Sequence, residues 1–222
     1  MATVVSPTAN THRPYATEQA DPSTQARLKA EIERDDAVLH GHFKLASGLH
    51  SDIYIEKFRI LERPVLLDEV CEPISKHFGS RKPELVVGPS TGGMMVALTV
   101  ARQLGIDVVY VEWEGEGGVQ KRRRALRRDG QIPAGKRILL VDDVLTTGDS
   151  LRDVLALKEV SNANLIGIGV LINRCDRPLD LPSDLFASCR YEAKTYREED
   201  LPDWLVRIPL TTRGSRARIP RK

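Results

Sequence analysis

Residues 138–150 read Ile-Leu-Leu-Val-Asp-Asp-Val-Leu-Thr-Thr-Gly-Asp-Ser, and no other stretch restricts the possible fold so tightly. Four apolar residues form a buried strand, and two adjacent carboxylates stand where it ends. A Thr-Thr-Gly-Asp-Ser turn follows, after which Leu151, Val154, Leu155 and Lys158 are spaced as an amphipathic helix. A strand, a small polar loop and a helix start make an anion site, because backbone N–H groups point outward there and Gly148 allows close approach. Asp142 and Asp143 repel a phosphate, yet they suit ribose hydroxyls and, directly or through water, Mg²⁺. A phosphate pocket beside a diol-and-metal pocket describes a phosphorylated sugar. The plainer alternative is a strand that ends in two acids, with Thr147 or Asp149 as an ordinary helix cap. A P-loop is excluded, because the chain has no Gly-x-x-x-x-Gly-Lys-Ser/Thr run.

The remaining pattern agrees with a strand–helix alternation. A helix is expected over Gln25–Leu39 and a strand over Ser51–Glu56. Pro64–Phe78 reads as a helix with Val65, Leu66, Val70 and Ile74 on its apolar face. Leu85–Gly88, Val108–Val111 and Leu165–Ile172 read as strands, and Met94–Leu104 as a helix stopped by Gly105. This order implies an α/β fold, a doubly wound and mostly parallel sheet with helices on both faces. Ligands of such sheets sit beyond the carboxyl ends of the strands, where Gly88 and Asp142 both fall. Segments 25–60 and 175–212 are expected to build a small cap over that edge.

Composition narrows the class further. With 222 residues, 41% of them apolar, one domain over 25–212 is expected. Residues 1–24 and the basic stretch 213–222 are expected to be disordered tails. The 33 basic and 31 acidic residues nearly cancel, so net charge selects no partner. Cys71, Cys175 and Cys189 are widely spaced, which fits reduced thiols in a cytoplasmic protein. No apolar run approaches the ~20 residues of a membrane span, and the first residues lack the apolar centre of a secretory signal. His40, His42, His50 and His77 lack metal spacing, so zinc is not expected.

The 138–150 stretch resembles the signature of type I phosphoribosyltransferases, which bind phosphoribosyl pyrophosphate (PRPP). The resemblance implies a five-stranded core sheet with a hood, Mg²⁺ as cofactor and a homodimer. It makes Asp142 and Asp143 the catalytic pair and metal site. Val144, Leu145, Thr146, Thr147, Gly148, Asp149 and Ser150 complete the PRPP-binding run, with Thr146–Ser150 on the 5′-phosphate. Gly88-Pro89-Ser90-Thr91-Gly92-Gly93, between a strand and a helix, matches the family's pyrophosphate loop. Ser90, Thr91, Gly92 and Gly93 would touch that group, and the Ser90–Thr91 bond is the candidate for the family's cis peptide. Phe43–Gly48 with Ser51, Gly115–Gly118 and Arg174 resemble the orotate branch in particular. Lys44, Thr146 and Arg174 would then hold the base, since a guanidinium fork matches a carboxylate.

Three positions depart from that family. Ala46 stands where a basic residue is usual, Gly92 where many members carry lysine, and Tyr110–Glu114 where the flexible loop is normally cationic. The missing cations would neutralise the departing pyrophosphate. Lys121, Arg122, Arg123 and Arg124 lie just downstream in Lys121–Arg128 and could replace them as a closing arm; a solvated loop and a nucleic-acid arm are the alternatives. No helix-turn-helix or other nucleic-acid module is recognisable, so a nucleic-acid partner is not expected. Trp113 would stack on a base or simply pack. The expected function is transfer of phosphoribose from PRPP to a nucleobase, orotate first. A different acceptor, or a non-catalytic PRPP sensor, remains open at this level.

Overall fold

The computed structural model describes residues 17–34, 36–45, 48–114, 123–127, 130–175 and 179–212. Ala46, Gly115–Gly118, Lys121 and Arg122 lie outside them, as do most of both tails.

The elements run β1 (Thr17–Gln19), α1 (Pro22–Arg34), β2 (Val38–Lys44), β3 (His50–Ile55), α2 (Phe58–Leu61), α3 (Pro64–Gly79), β4 (Leu85–Pro89), α4 (Gly92–Leu104), β5 (Asp107–Glu114) and β6 (Arg123–Leu126). They continue with β7 (Arg137–Leu145), α5 (Asp149–Leu155), α6 (Lys158–Ser161), β8 (Asn164–Asn173), β9 (Leu185–Arg190), β10 (Thr195–Tyr196), α7 (Asp203–Val206) and β11 (Leu210–Thr212).

The main sheet has seven strands rather than the expected five, in the order β1-β9-β8-β7-β4-β5-β6. All pairings are parallel except β5 with β6. Four of the five inner strands, β4, β5, β7 and β8, are those expected, and the fifth, β9, comes from the segment expected in the cap. The sequence pattern missed the edges because β1 is three polar residues and β6 is two arginines followed by Ala125 and Leu126, so neither carries apolar alternation.

Alternation along the inner strands divides the core. Val86, Leu139 and Val141 face α1, α3 and α4, while Val87, Ile138 and Leu140 face α5 and α6. Helix α3 lies very close to β8. A Cβ on Gly167 would fall 2.0 Å from the Phe78 ring, and one on Gly169 2.6 Å from Ile74. Of the expected α3 face, Leu66, Val70 and Ile74 are buried but Val65 is 73% exposed. Leu66, Val70 and Ile74 follow one another at intervals of four, and Val65 falls one residue off that stripe, on the side turned to solvent.

Segment 25–60 divides differently from expectation. Helix α1 starts at Pro22, where the Asp21 carboxylate accepts hydrogen bonds from the N–H groups of Ser23 and Thr24 at 3.0 Å. It ends at Arg34 and packs on the main sheet, burying Leu28 and Ile32. Val38 and Leu39, expected in that helix, instead pair with Ile55 and Tyr54 in a second sheet of order β10-β3-β2-β11. This four-stranded sheet is the hood. Its strands come from 38–55 and 195–212, and β9 of the expected cap belongs to the main sheet. No described helix is long and apolar enough to cross a membrane.

Candidate functional site

Strands β4, β5, β7 and β8 run parallel, so their carboxyl ends open along one edge. Asp142 and Asp143 lie near the end of β7, both buried. Their carboxylates fold back on the local backbone: the Asp143 N–H donates to Asp142 Oδ1 at 2.9 Å, and the Val144 N–H to Asp143 Oδ1 at 2.6 Å. Burial pushes the Asp142 carboxyl up to about 7, and the neighbouring Asp143 adds to the rise. The Asp143 N–H, Lys57 and the Ser150 hydroxyl oppose it.

Loop Thr146–Ser150 follows. Gly148 takes the left-handed conformation, φ 82°, and caps α5. Within the loop Thr147 Oγ1 donates to Asp149 Oδ2 at 2.7 Å, and Arg152 Nη1 donates to both Thr147 O and Asp149 Oδ1 at 2.9 Å. Arg152 thus balances the one acid of a loop expected to meet a phosphate.

The second loop, Ser90–Gly93, joins β4 to α4, and its Ser90–Thr91 bond is cis, at the position expected from the sequence. It packs directly against the carboxylate pair. A Cβ on Gly92 would fall 1.6 Å from Asp143 Oδ2, and one on Gly93 2.9 Å from Asp142 Oδ1. The absent side chain at Gly92 is therefore what admits Asp143. Beside that gap Lys57 Nζ, just before α2, stands 2.6 Å from Asp143 Oδ2. Burial alone would lower the Lys57 pKa, but the carboxylate beside it outweighs burial and raises it. No sequence periodicity singles out Lys57.

Between the hood and β7 lies a cavity of about 550 Å³. Thr146, Thr147 and Arg174 line its floor; Tyr196, Arg197 and Asp200 line its hood side. Arg174 is buried, and its Nη2 donates to Ser51 Oγ at 2.9 Å. Thr146 and Arg174 thus line one cavity. Lys44 does not line the cavity; its ammonium pairs with Glu198 at 3.1 Å. Tyr196 and Arg197 went unnoticed because their place follows only from the pairing of β10 with β3. A cavity of similar volume beside Leu104, at the far end of α4, carries Asp68, Glu69 and Glu72, which would repel a phosphate.

The cationic stretch is not a free arm where it is described. Residues 123–126 form β6, paired with the end of β5. Across that hairpin Arg123 pairs with Glu114 at 2.9 Å and Arg127 with Glu112 at 2.5 Å. The two glutamates that stood in the place of loop cations are thus already neutralised. Arg124 faces the opposite side, is buried, and contacts Ser90 and Ser150. Trp113 stacks on that guanidinium, 4.0 Å from ring centre to Cζ.

A hooded, doubly wound α/β domain whose carboxyl edge carries two glycine-bearing loops around a carboxylate pair is a narrow class of protein. The chain belongs to the phosphoribosyl transferase domain family, whose profile matches residues 59–189. It is similar to orotate phosphoribosyltransferases of Chlorobium phaeobacteroides, at 33% identity over 82% of this chain and 91% of the relative. The match to that of Methylobacterium sp. is 36% over 87% and 97%. Among solved structures, orotate phosphoribosyltransferase from Aeropyrum pernix overlays with a TM-score of 0.62 at 24% identity, covering 74% of this chain and 94% of that one; it shares the fold. A phosphoribosyltransferase from Corynebacterium diphtheriae gives 0.58 at 26%, over 76% and 96%.

Proposed function

We propose that this protein transfers the phosphoribosyl group of PRPP to orotate, giving orotidine 5′-phosphate and pyrophosphate in pyrimidine nucleotide synthesis. The observation that carries the reading is the meeting of both anion-suited loops on one carboxylate pair, with Arg174 and Thr146 lining the adjoining cavity.

In this reading Thr146–Ser150 hold the 5′-phosphate with backbone N–H groups and hydroxyls. Asp142 and Asp143 accept hydrogen bonds from the ribose hydroxyls. Ser90, Thr91, Gly92 and Gly93 border the pyrophosphate. Arg174 meets the orotate carboxylate as a two-pronged donor. The C1–O bond to pyrophosphate breaks and its electron pair leaves with the pyrophosphate. The lone pair of an orotate ring nitrogen forms the new C1–N bond, and the nitrogen's proton passes to solvent. The protein's part is positioning and electrostatics: fixed carboxylates beside the sugar stabilise positive charge growing at C1.

Mg²⁺ fits this oxygen-rich donor set. Two carboxylates stand together, and no cluster of three or more metal-ligating side chains occurs among the described residues. That suits a cation carried largely by substrate oxygens. Asp142 and Asp143 would hold it directly or through water, and it would offset charge on the pyrophosphate. A homodimer and a cytoplasmic setting are part of the same reading; the three buried cysteines form no disulfide with one another, which a reducing compartment favours.

The test follows orotate absorbance and pyrophosphate release in one reaction with PRPP and Mg²⁺. Equal amounts of each support the reading. Pyrophosphate released only with another base moves the acceptor, and PRPP bound without turnover overturns transfer altogether.

A further inference from the structure

Arg124 sits where the two anion-suited loops come together. Nη1 donates to Ser90 Oγ at 3.1 Å and to Ser90 O at 3.3 Å, and Nη2 donates to Ser150 Oγ at 3.3 Å. Ser150 in turn hydrogen-bonds Asp142. The guanidinium thus spans from the Ser90–Gly93 loop to the start of α5, next to the carboxylate pair. Only 8% of the residue is exposed. Its Nε is buried without a hydrogen-bond partner, and the oxygens it does reach, among the described residues, are neutral.

A cation so placed is expensive unless something holds it. Trp113 does so: the two residues are directly opposite in the β5–β6 register, and the indole face carries the guanidinium at 4.0 Å. Arg123 and Arg127 on the other face of the hairpin are committed to Glu114 and Glu112. Among the described residues of this stretch, Arg124 is therefore the cation that is turned inward, with neutral hydrogen-bond partners. Burial lowers the Arg124 pKa, and the nearby Asp142 and Asp153 offset only part of that cost.

We propose that Arg124, seated on Trp113, is a fixed catalytic cation that contacts the departing pyrophosphate, supplied by a sheet strand rather than by a closing loop. The inference rests on the transfer reading above. As the C1–O bond breaks, its electron pair adds charge to the pyrophosphate oxygen, and a guanidinium fork already beside Ser90 balances it without reorganisation. The same placement explains how the chain dispenses with cations at Tyr110–Glu114: the charge enters one strand later and from the side.

The test compares binding of pyrophosphate with Mg²⁺ and of ribose 5-phosphate alone to the full chain, by calorimetry, alongside turnover. Arg124→Gln should weaken pyrophosphate about tenfold or more and slow turnover about a hundredfold, while ribose 5-phosphate affinity stays within about threefold. Arg124→Lys should recover part of the pyrophosphate affinity, since it keeps the charge but loses the fork. Equal loss of both ligands would make Arg124 a structural clamp and overturn the proposal, as would pyrophosphate affinity left at the wild-type level. Should Arg124→Gln fail to fold, Trp113→Leu carries the test. It should weaken pyrophosphate about threefold or more with ribose 5-phosphate unchanged, and no difference there would overturn the proposal. A wild-type protein that binds neither ligand contradicts the transfer reading itself, which separates that failure from this one.

Discussion

Lys57 Nζ stands 2.6 Å from Asp143 Oδ2, across the gap left by the missing side chain of Gly92. This pair joins the segment after β3 to the end of β7 and orients one of the two carboxylates expected to meet the ribose. Asp143 is the more deeply buried partner, so loss of the ammonium strands a charge. Lys57→Met should cost about 1–2 kcal/mol of stability, discounted because Lys57 is partly solvated, and should raise the KM for PRPP about tenfold. Chemical denaturation and initial rates check both. Unchanged KM would mean that the pair only holds the fold.

Gly92 marks a second consequence of the same contact. Its Cβ would fall 1.6 Å from Asp143 Oδ2, so Gly92→Ala must displace the carboxylate. Turnover should fall about tenfold to a hundredfold with a stability loss of about 1–3 kcal/mol. Gly92→Lys should be no better, although the resemblance leads one to expect lysine there. Recovery or gain of activity in Gly92→Lys would show that Asp143 has another place to go.

Asp142 should set a pH dependence of stability in the absence of divalent metal. Its folded pKa of about 7 lies above its ordinary value of 3.8, so the folded state holds the proton more tightly. The penalty for ionising it is absent below the ordinary value, grows as pH rises, and is complete above the raised one. Asp142→Asn should leave stability unchanged near the acid end and increase it by about 1–3 kcal/mol in mildly alkaline buffer, while destroying turnover. Thermal unfolding in chelator at both ends of that range checks the sign. A variant equally stable or less stable than the wild type at alkaline pH would contradict it.

Arg174 should govern the base and not the sugar. Arg174→Gln should raise the KM for orotate about thirtyfold or more, leaving PRPP affinity within about threefold. Initial rates over both substrates separate the two. An equal loss for PRPP would assign Arg174 to the floor of the cavity and not to recognition.

Much of the site was legible because it is local. Asp142–Ser150 is one continuous stretch in which strand, acids, turn and helix follow in order, and Gly105 ends α4 in the left-handed conformation as its position predicts. The cis Ser90–Thr91 bond was expected from the resemblance of its loop to the family's pyrophosphate loop. What escaped depends on contacts distant in sequence. Lys57 acquires its role only when the stretch before α2 meets β7. Arg124 reads as one more cation in a basic run until pairing of β6 with Trp113 turns it inward. Val38 and Leu39 continue a helical pattern, and only their pairing with β3 makes them a hood strand. The cap at Asp21-Pro22 is a local signal, but it fell within polar sequence read as a tail.

The most direct test of the central claim is calorimetric titration of PRPP, with Mg²⁺ present, into the wild-type protein and into the double variant Asp142→Asn with Asp143→Asn. A carboxylate pair that holds the ribose and its metal predicts one PRPP per chain for the wild type and an affinity at least about a hundredfold weaker for the variant. Equal affinities for the two proteins would contradict the account.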